Sequence, residues 1–163
     1  MIKTDKSQDN LILNKTSTYY IEQSTSNSFH LMLKAGKKLA NQIFINYKKR
    51  KTLIICGIGG NGGDGFIVAQ ELLNKKWDTD VVIIGNKNLI KGDALKALNQ
   101  LKIKSKNFED IDLNKIGLFV DALFGIGLSR KINNKAKEIL KTIDKHKAPI
   151  VGVDIPSGID SNT

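Results

Sequence analysis

The sequence reads LIICGIGGNGGDG from Leu53 to Gly65, an apolar run that leads directly into six glycines within nine residues. Glycine loses more conformational entropy on folding than any other residue, so this density indicates that something must approach the backbone closely. Apolar residues at helical spacing begin immediately afterwards, at Phe66, Ala69 and Leu73. A strand, a glycine loop and a helix N-terminus in this order are typical of a site for phosphate or another anion. A plain strand-to-helix turn, the alternative, needs only one or two glycines.

Short apolar runs alternate with amphipathic segments along the rest of the chain. We predict strands at 53–56, 80–84, 117–120 and 149–153, with weaker patterns for a short strand at 103–108 and a short helix at 19–23. Helices are predicted from 31 to about 48, from the glycine loop to about 75, at 94–101 and at 136–143. Such alternation implies right-handed crossovers. The predicted fold is therefore α/β, a Rossmann-like three-layer α/β/α sandwich with a mainly parallel sheet.

The first predicted helix carries a broad apolar stripe that should cover the sheet. Its members are Leu31, Ala35, Leu39 and Ile43, joined by Met32, Ala40, Phe44 and Tyr47.

Composition and charge limit the class of protein. The 163 residues, of which 40% are hydrophobic, suit one domain, and no segment resembles a signal peptide or a membrane span, so we expect a cytoplasmic protein with no membrane partner. The net charge is +10, but only Arg50 and Arg130 of the 26 basic residues are arginine and the lysines are spread out, so we expect no nucleic-acid partner. Cys56 is expected to be a small buried side chain. His30 and His146 are isolated from other soft ligands, which gives a zinc site little support.

Polar side chains recur where predicted strands end, which is where the ligand crevice of a parallel sheet lies. The three loops contain Asn61 and Asp64; Asp121 with the glycines at 125 and 127; and Asp154, Ser157 and Asp160. One acidic residue after a strand often only caps a helix. Three such loops at equivalent strand ends favour a site.

The glycine loop also fits two better-known nucleotide motifs incompletely. Gly57, Gly59 and Gly62 match the dinucleotide fingerprint, yet the second strand is followed by IGNK at 84–87, with no acid for a ribose hydroxyl. This disfavours an ordinary NAD-dependent dehydrogenase. The loop also lacks the Lys-Ser/Thr pair of a P-loop, which disfavours nucleotide hydrolysis of that type.

Taken together and in order, the three loops resemble the motifs of NAD(P)H-hydrate epimerase, the YjeF N-terminal-domain family. The matching segments are GIGGNGGDG at 57–65, VDALFGIGL at 120–128 and VDIPSGID at 153–160, and LMLKAG at 31–36 resembles the family's leader motif. The resemblance implies one domain over 1–163, with an N-terminal extension at 1–30 and the family-pattern core at 31–163. Family members continue for further strands and a helix, so the chain is expected to be C-terminally short.

What the resemblance implies is an isomerase of metabolite repair, which interconverts the R and S epimers of NADHX and NADPHX, cofactors hydrated at C6 of the nicotinamide ring. A separate NAD(P)HX dehydratase would then act on the S form. By the family pattern a potassium ion would be held by Asn61, Asp121 and Ser157, and Asp121 is also the candidate catalytic acid or base. The implied substrate-binding residues are Gly60, Asn61, Gly62, Gly63, Asp64, Gly125, Ile126, Gly127, Leu128, Ser129, Arg130, Lys131 and Asp154.

The sequence departs from the family pattern in four places and leaves two other functions open. Leu33, Ile58, Gly60 and Ile126 stand where glutamate, proline, asparagine and threonine are usual. The alternatives are a non-catalytic nucleotide-binding or scaffold module of the same fold, as in mRNA decapping and lipoprotein-associated proteins, and a small nucleotide-binding protein with another reaction. Retention of the polar residues at the strand ends favours the enzyme. Family members often dimerise, and the helix from residue 31 could serve a homodimer or pack on its own sheet.

Overall fold

The computed structural model describes residues 27–125 and 134–154, in which four parallel strands form one sheet flanked by helices. The elements are α1 (Ser28–Asn46), β1 (Thr52–Cys56), α2 (Gly60–Asn74), β2 (Thr79–Ile83), α3 (Gly92–Gln100), β3 (Leu118–Ala122), α4 (Asn134–Asp144) and β4 (Ile150–Gly152). Short 3-10 turns occupy Lys87–Leu89, Phe108–Asp110 and Leu113–Lys115. The strand order is β2-β1-β3-β4. The short helix predicted at 19–23 lies outside the described residues.

Two apolar clusters, one on each face of the sheet, form the core. Because successive side chains of a strand point to opposite faces, Ile54, Cys56 and Val120 pack with α1, α2 and α3, whereas Ile55 and Phe119 pack with α4. The strands β1, β2 and β3 are buried throughout, which is why each appears in the sequence as a continuous apolar run. The predicted three-layer sandwich is confirmed. Across the described ranges, none of the helices combines the length and hydropathy needed to cross a bilayer.

Most of the stripe predicted for α1 is confirmed. Ala40 and Ile43 are buried, and the half-buried members pack against the same core, namely Met32, Leu39, Phe44 and Tyr47. The prediction is wrong for Leu31 and Ala35, which are exposed, and it missed Gly36, which is buried. A Cβ atom on Gly36 would lie 2.7 Å from Cβ of Ile67, so α1 approaches α2 closely at this glycine. The helix packs mainly on α2 and α3, whereas the stripe was expected to cover the sheet.

The strand predicted at 103–108 is wrong. Only one residue of this segment pairs with the sheet, through a single parallel bridge between Lys106 and Val82. The N–H of Lys106 donates to the carbonyl of Val81 at 2.8 Å, and its ammonium group lies 2.6 Å from Asp80. A polar segment is thus held at the sheet edge by one backbone bond and one ion pair.

Asp80 is the centre of a charge cluster at the start of β2. The residue is 6% exposed, and its carboxyl group lies 3.1 Å from the Lys51 ammonium as well as 2.6 Å from that of Lys106. Burial by itself would raise the pKa of Asp80, but the hydrogen bonds from Lys106 and Lys51 outweigh it and hold the pKa below the ordinary value of 3.8.

We therefore expect Asp80 to stabilise the fold at neutral pH and to lose this effect in acid. Because its pKa is lower in the folded than in the unfolded chain, the stabilisation is complete above about pH 4 and disappears as the pH falls further. Asp80→Asn should lower the free energy of unfolding by about 1 kcal/mol at pH 7 and by less at pH 3. The expected change is this small because both lysines are partly exposed, and solvent weakens their attraction to the carboxylate. Urea titrations at both pH values measure this. Glu109→Gln, which breaks the exposed pair with Lys135, is the matched control and should change little; an equal loss in both variants would contradict the prediction.

Candidate active site

The glycine loop joins β1 to α2, and most of its glycines are required by the protein's own packing. A Cβ atom on Gly57 would lie 2.2 Å from the Leu123 carbonyl oxygen, and one on Gly62 would lie 2.0 Å from the Gly57 carbonyl oxygen. Gly63 lies similarly close to Met32 and Ala94, and Gly65 to Ala122 and Cys56. The glycine content predicts that a ligand approaches the backbone closely. At most of these glycines the group that approaches is another part of the same chain.

Gly59 and Gly60 are different, because a Cβ atom on either would have no neighbour within 4 Å. Both residues are exposed, and Gly60 is the first residue of α2, a helix of 15 residues. The open backbone and the helix N-terminus are the parts of the loop where an anion would find N–H groups and a favourable dipole.

Asp121 lies within β3, whereas the apolar pattern predicted that this strand ends at residue 120. It is 4% exposed, and its Oδ1 accepts a hydrogen bond from the N–H of Leu123 at 3.1 Å. In the sheet it is in register with Ile55 on one side and Gly152 on the other. Aspartate is rarely buried this fully, and Asp121 lies near the carboxyl end of a central strand, where the ligand crevice of a parallel sheet forms, so its position favours a functional role.

Side chains from two of the predicted loops meet at a glycine of the third. A Cβ atom on Gly125 would lie 2.5 Å from Oδ2 of Asp154 and 2.6 Å from Nδ2 of Asn61. The N–H of Val153 donates to the Asp121 carbonyl at 2.9 Å, which fixes the end of β4 against β3. The start of α2, the segment after β3 and the segment after β4 therefore converge, as the strand-end argument predicted.

The amide of Asn61 is unusual at this junction. Its Nδ2 atom is buried and, among the residues the structure describes, has no hydrogen-bond partner. A buried polar group without a partner costs about 1–3 kcal/mol, and such groups in native proteins call for an explanation, for which a bound ligand is one. Asp64 lies half-buried one turn further along the same helix.

The remaining predicted site residues divide into two groups. Gly62 and Gly63 are buried, and the N–H of Gly63 donates to the Gly59 carbonyl at 3.1 Å. Outside the described residues lie Ile126, Gly127, Leu128, Ser129, Arg130, Lys131 and Ser157. Cys56 is fully buried as expected, and burial raises the pKa of its thiol, so it is no candidate nucleophile.

The turn after β2 is a neighbour of the glycine loop that sequence reasoning did not assign to the site. Gly85 has a φ of 125°, and a Cβ atom there would lie 2.9 Å from Cγ2 of Ile58. The N–H of Ile84 donates to the Cys56 carbonyl at 2.9 Å. The sequence did indicate a turn here, because a glycine directly follows a predicted strand. It did not indicate the contact of this glycine with Ile58, which depends on the pairing of β1 with β2.

Comparison with known proteins gives one family model and a consistent set of relatives. The model described as YjeF-related protein N-terminus matches residues 28–163. A Weissella koreensis protein named NAD(P)H-hydrate epimerase is 37% identical over 119 residues, which cover 69% of this chain and 52% of that one. A Plasmodium knowlesi protein of the same name is 35% identical over 161 residues, covering 93% of this chain and 52% of that one.

One further relative and one solved structure extend this comparison. A Methanopyrus kandleri protein, named bifunctional NAD(P)H-hydrate repair enzyme Nnr, is 30% identical over 82% of this chain and 29% of its own length. The chain thus spans about half the length of the two epimerases and less of the bifunctional enzyme. The crystal structure of the yeast protein ynu0 superposes with a TM-score of 0.67 at 21% identity, covering 92% of this chain and 72% of the yeast chain, which supports the fold.

Proposed function

The chain belongs to the family of YjeF-related protein N-termini, and we propose on that basis that it is an NAD(P)H-hydrate epimerase. The reaction would interconvert the R and S epimers of NADHX and NADPHX in nicotinamide cofactor repair. The observation that carries the proposal is the meeting of Asn61 and Asp154 at Gly125, beside the strand that contains the buried Asp121. A scaffold has no need for a buried carboxylate close to an amide nitrogen that finds no hydrogen-bond partner in the part of the chain that the structure describes.

Epimerisation at C6 sets a clear chemical requirement. This carbon carries a hydroxyl group and is bonded to the ring nitrogen. Inversion can proceed by breaking the C–O bond, with the protonated hydroxyl leaving as water, or the C–N bond, with the hydroxyl proton passing to the ring nitrogen as an aldehyde forms. In each case the bond re-forms on the other face. Either route moves a proton at the hydroxyl oxygen. A carboxyl group is suited to hold and return that proton, and we assign this role to Asp121. Asp154, which is exposed, would contact the substrate from the opposite loop.

The rest of the substrate would lie along the glycine loop. The open backbone at Gly59 and Gly60 and the N-terminus of α2 suit the diphosphate of a dinucleotide. We propose that Gly60 and Asn61 contact it, with Asp64 near by, and that the buried Gly62 and Gly63 contribute by letting α2 begin so close to β1. By the family pattern, the segment from Gly125 to Lys131 would also bind the substrate.

A potassium ion is part of this proposal, with Asn61, Asp121 and Ser157 as its ligands. Amide, carboxylate and hydroxyl oxygens are the donors that hard cations prefer, so the ion would be held by Oδ1 of Asn61. The buried Nδ2 atom, which has no hydrogen-bond partner among the described residues, is a donor and would suit an acceptor such as a substrate oxygen. When bound, the ion would supply positive charge that holds and polarises a substrate oxygen. Asp121 would then have to share its carboxyl group between metal binding and proton transfer.

The proposed reaction needs a second enzyme to be useful to the cell. The Methanopyrus kandleri relative is named a bifunctional NAD(P)H-hydrate repair enzyme. For this chain we propose that the S epimer passes to a separate NAD(P)HX dehydratase. The cytoplasmic location expected from the sequence is part of the same proposal.

An epimerisation assay tests the proposed function. Enriched R-NADHX is incubated with the purified chain, in potassium or in sodium at equal ionic strength, and the R to S ratio is followed by chromatography against the spontaneous rate. We expect acceleration in potassium and a large loss of it in sodium. A folded, monodisperse sample that leaves the spontaneous rate unchanged would contradict the proposal and favour the non-catalytic module, whose nucleotide binding calorimetry would then measure.

A further inference from the structure

The turn after β2 forms one side of the proposed nucleotide site. β1 and β2 are paired in parallel, with Cys56 opposite Ile83, so the glycine loop and the turn leave the sheet side by side. Gly85 lies against Ile58 of the loop, and the Ile84 N–H is bonded to the Cys56 carbonyl. Whatever occupies the open backbone of Gly59 and Gly60 therefore has this turn as a neighbour.

The charge of the turn is positive. From Ile84 to Gly92 the chain contains no acidic residue, and the first one, Asp93, is engaged by Ser28 and Lys96. Lys87 is the first charged residue after the strand. Its ammonium group donates to the hydroxyl oxygen of Ser105 at 2.5 Å, which holds the exposed side chain beside the turn without neutralising its charge.

In a dinucleotide site, the residue at the position of Lys87 determines how the adenosine ribose is recognised. In open α/β sheets an acidic side chain at the end of the second strand binds the 2′-hydroxyl of the adenosine ribose, whereas a cation there accommodates a 2′-phosphate. A carboxylate would repel the 2′-phosphate, and its absence here leaves the ribose of NADH without its usual acceptor. A charge-assisted contact with phosphate, in contrast, is among the stronger hydrogen bonds.

We propose that Lys87, positioned by Ser105, makes this chain prefer the 2′-phosphorylated substrate NADPHX over NADHX. This inference rests on the proposed function, because it names which of the two substrates the same site favours. Lys87 is a specificity-determining residue in this scheme and takes no part in the proton transfer.

Two measurements test the inference separately from the epimerase activity. The first compares the binding of adenosine 2′,5′-bisphosphate with that of 5′-AMP by calorimetry, since these probes differ only in the 2′-phosphate. The second compares kcat/KM for R-NADPHX and R-NADHX. We expect the wild-type chain to favour the phosphorylated member of each pair about tenfold, Lys87→Ala to favour neither, and Lys87→Glu to favour the unphosphorylated member.

Two further variants control this test. Ser105→Ala should reduce the preference only in part, because it releases the lysine without removing its charge. Lys75→Ala removes an equally exposed lysine at the far end of α2 and should leave the preference unchanged.

The outcomes separate the two hypotheses. Probe binding with the expected preference but no epimerisation would overturn the proposed function and leave Lys87 as the 2′-phosphate contact of a nucleotide-binding module. Epimerisation with equal kcat/KM for both substrates, or a preference that Lys87→Ala does not alter, would overturn the inference alone. Failure to bind either probe would overturn it as well.

Discussion

Asp121→Asn is expected to lower kcat for epimerisation about 100-fold or more while leaving the fold intact. General acid–base catalysis by a positioned side chain contributes roughly 10²–10⁴-fold, and an amide of the same shape cannot move the proton. The asparagine oxygen can still accept the hydrogen bond that Asp121 accepts from the Leu123 N–H, so the strand should be preserved. The measurement is the R to S conversion rate at saturating substrate, with circular dichroism and urea unfolding to compare the two folds.

A potassium titration of the same variant separates the two roles assigned to Asp121. If the carboxylate mainly held the ion, a higher potassium concentration would restore much of the rate; if it mainly moves the proton, kcat stays low at any concentration. Asp144→Asn, at the exposed end of α4, is the matched control and should behave as wild type. An Asp121→Asn variant with full activity would remove Asp121 from the mechanism.

The sheet was predictable from sequence because its strands are buried on both faces. Ile54 and Val120 belong to continuous apolar runs, which identify a buried strand without knowledge of its neighbours. The structure places the strands within two residues of the expected bounds. Most of the apolar stripe of α1 was also predictable from its spacing, but the burial of Gly36 was not, because it depends on close contact with Ile67 on another helix. Hydrophobic spacing describes a stripe but not the neighbour that covers it.

The site was predictable in outline for a topological reason. Parallel strands bring their carboxyl ends to one edge, so Asn61 and Asp154 were expected to lie together. Their meeting at Gly125 could not be predicted, because it depends on the strand register and on the path of the loops, and neither can be read from the local sequence. The same limit explains the glycine loop: the content of glycine indicated close approach, but only the structure distinguishes Gly62, which touches Gly57, from Gly60, which faces open space.

Alanine substitutions at Gly62 and Gly60 are expected to differ strongly in their effect on stability. Gly62→Ala is expected to destabilise the fold by at least about 3 kcal/mol, because its Cβ would lie 2.0 Å from the backbone carbonyl oxygen of Gly57, which cannot move without disturbing β1. Gly60→Ala should leave stability unchanged or raise it by up to about 1 kcal/mol, since alanine favours the helix that begins there. Urea unfolding followed by the fluorescence of the buried Trp77 measures both variants.

The activity of the stable variant then decides what the open backbone is for. A methyl group at Gly60 would project into space that the proposed substrate occupies, so Gly60→Ala should raise KM for NADPHX while kcat changes less, and should weaken binding of adenosine 2′,5′-bisphosphate in parallel. Gly92→Ala is not a suitable control, because Gly92 has a φ of 56° and alanine would be strained there. Gly59→Ala, the other open position, should resemble Gly60→Ala. Wild-type kinetics in both open-position variants would mean that the substrate does not approach this backbone, and the glycines of the loop would then serve only the packing of α2 against β1.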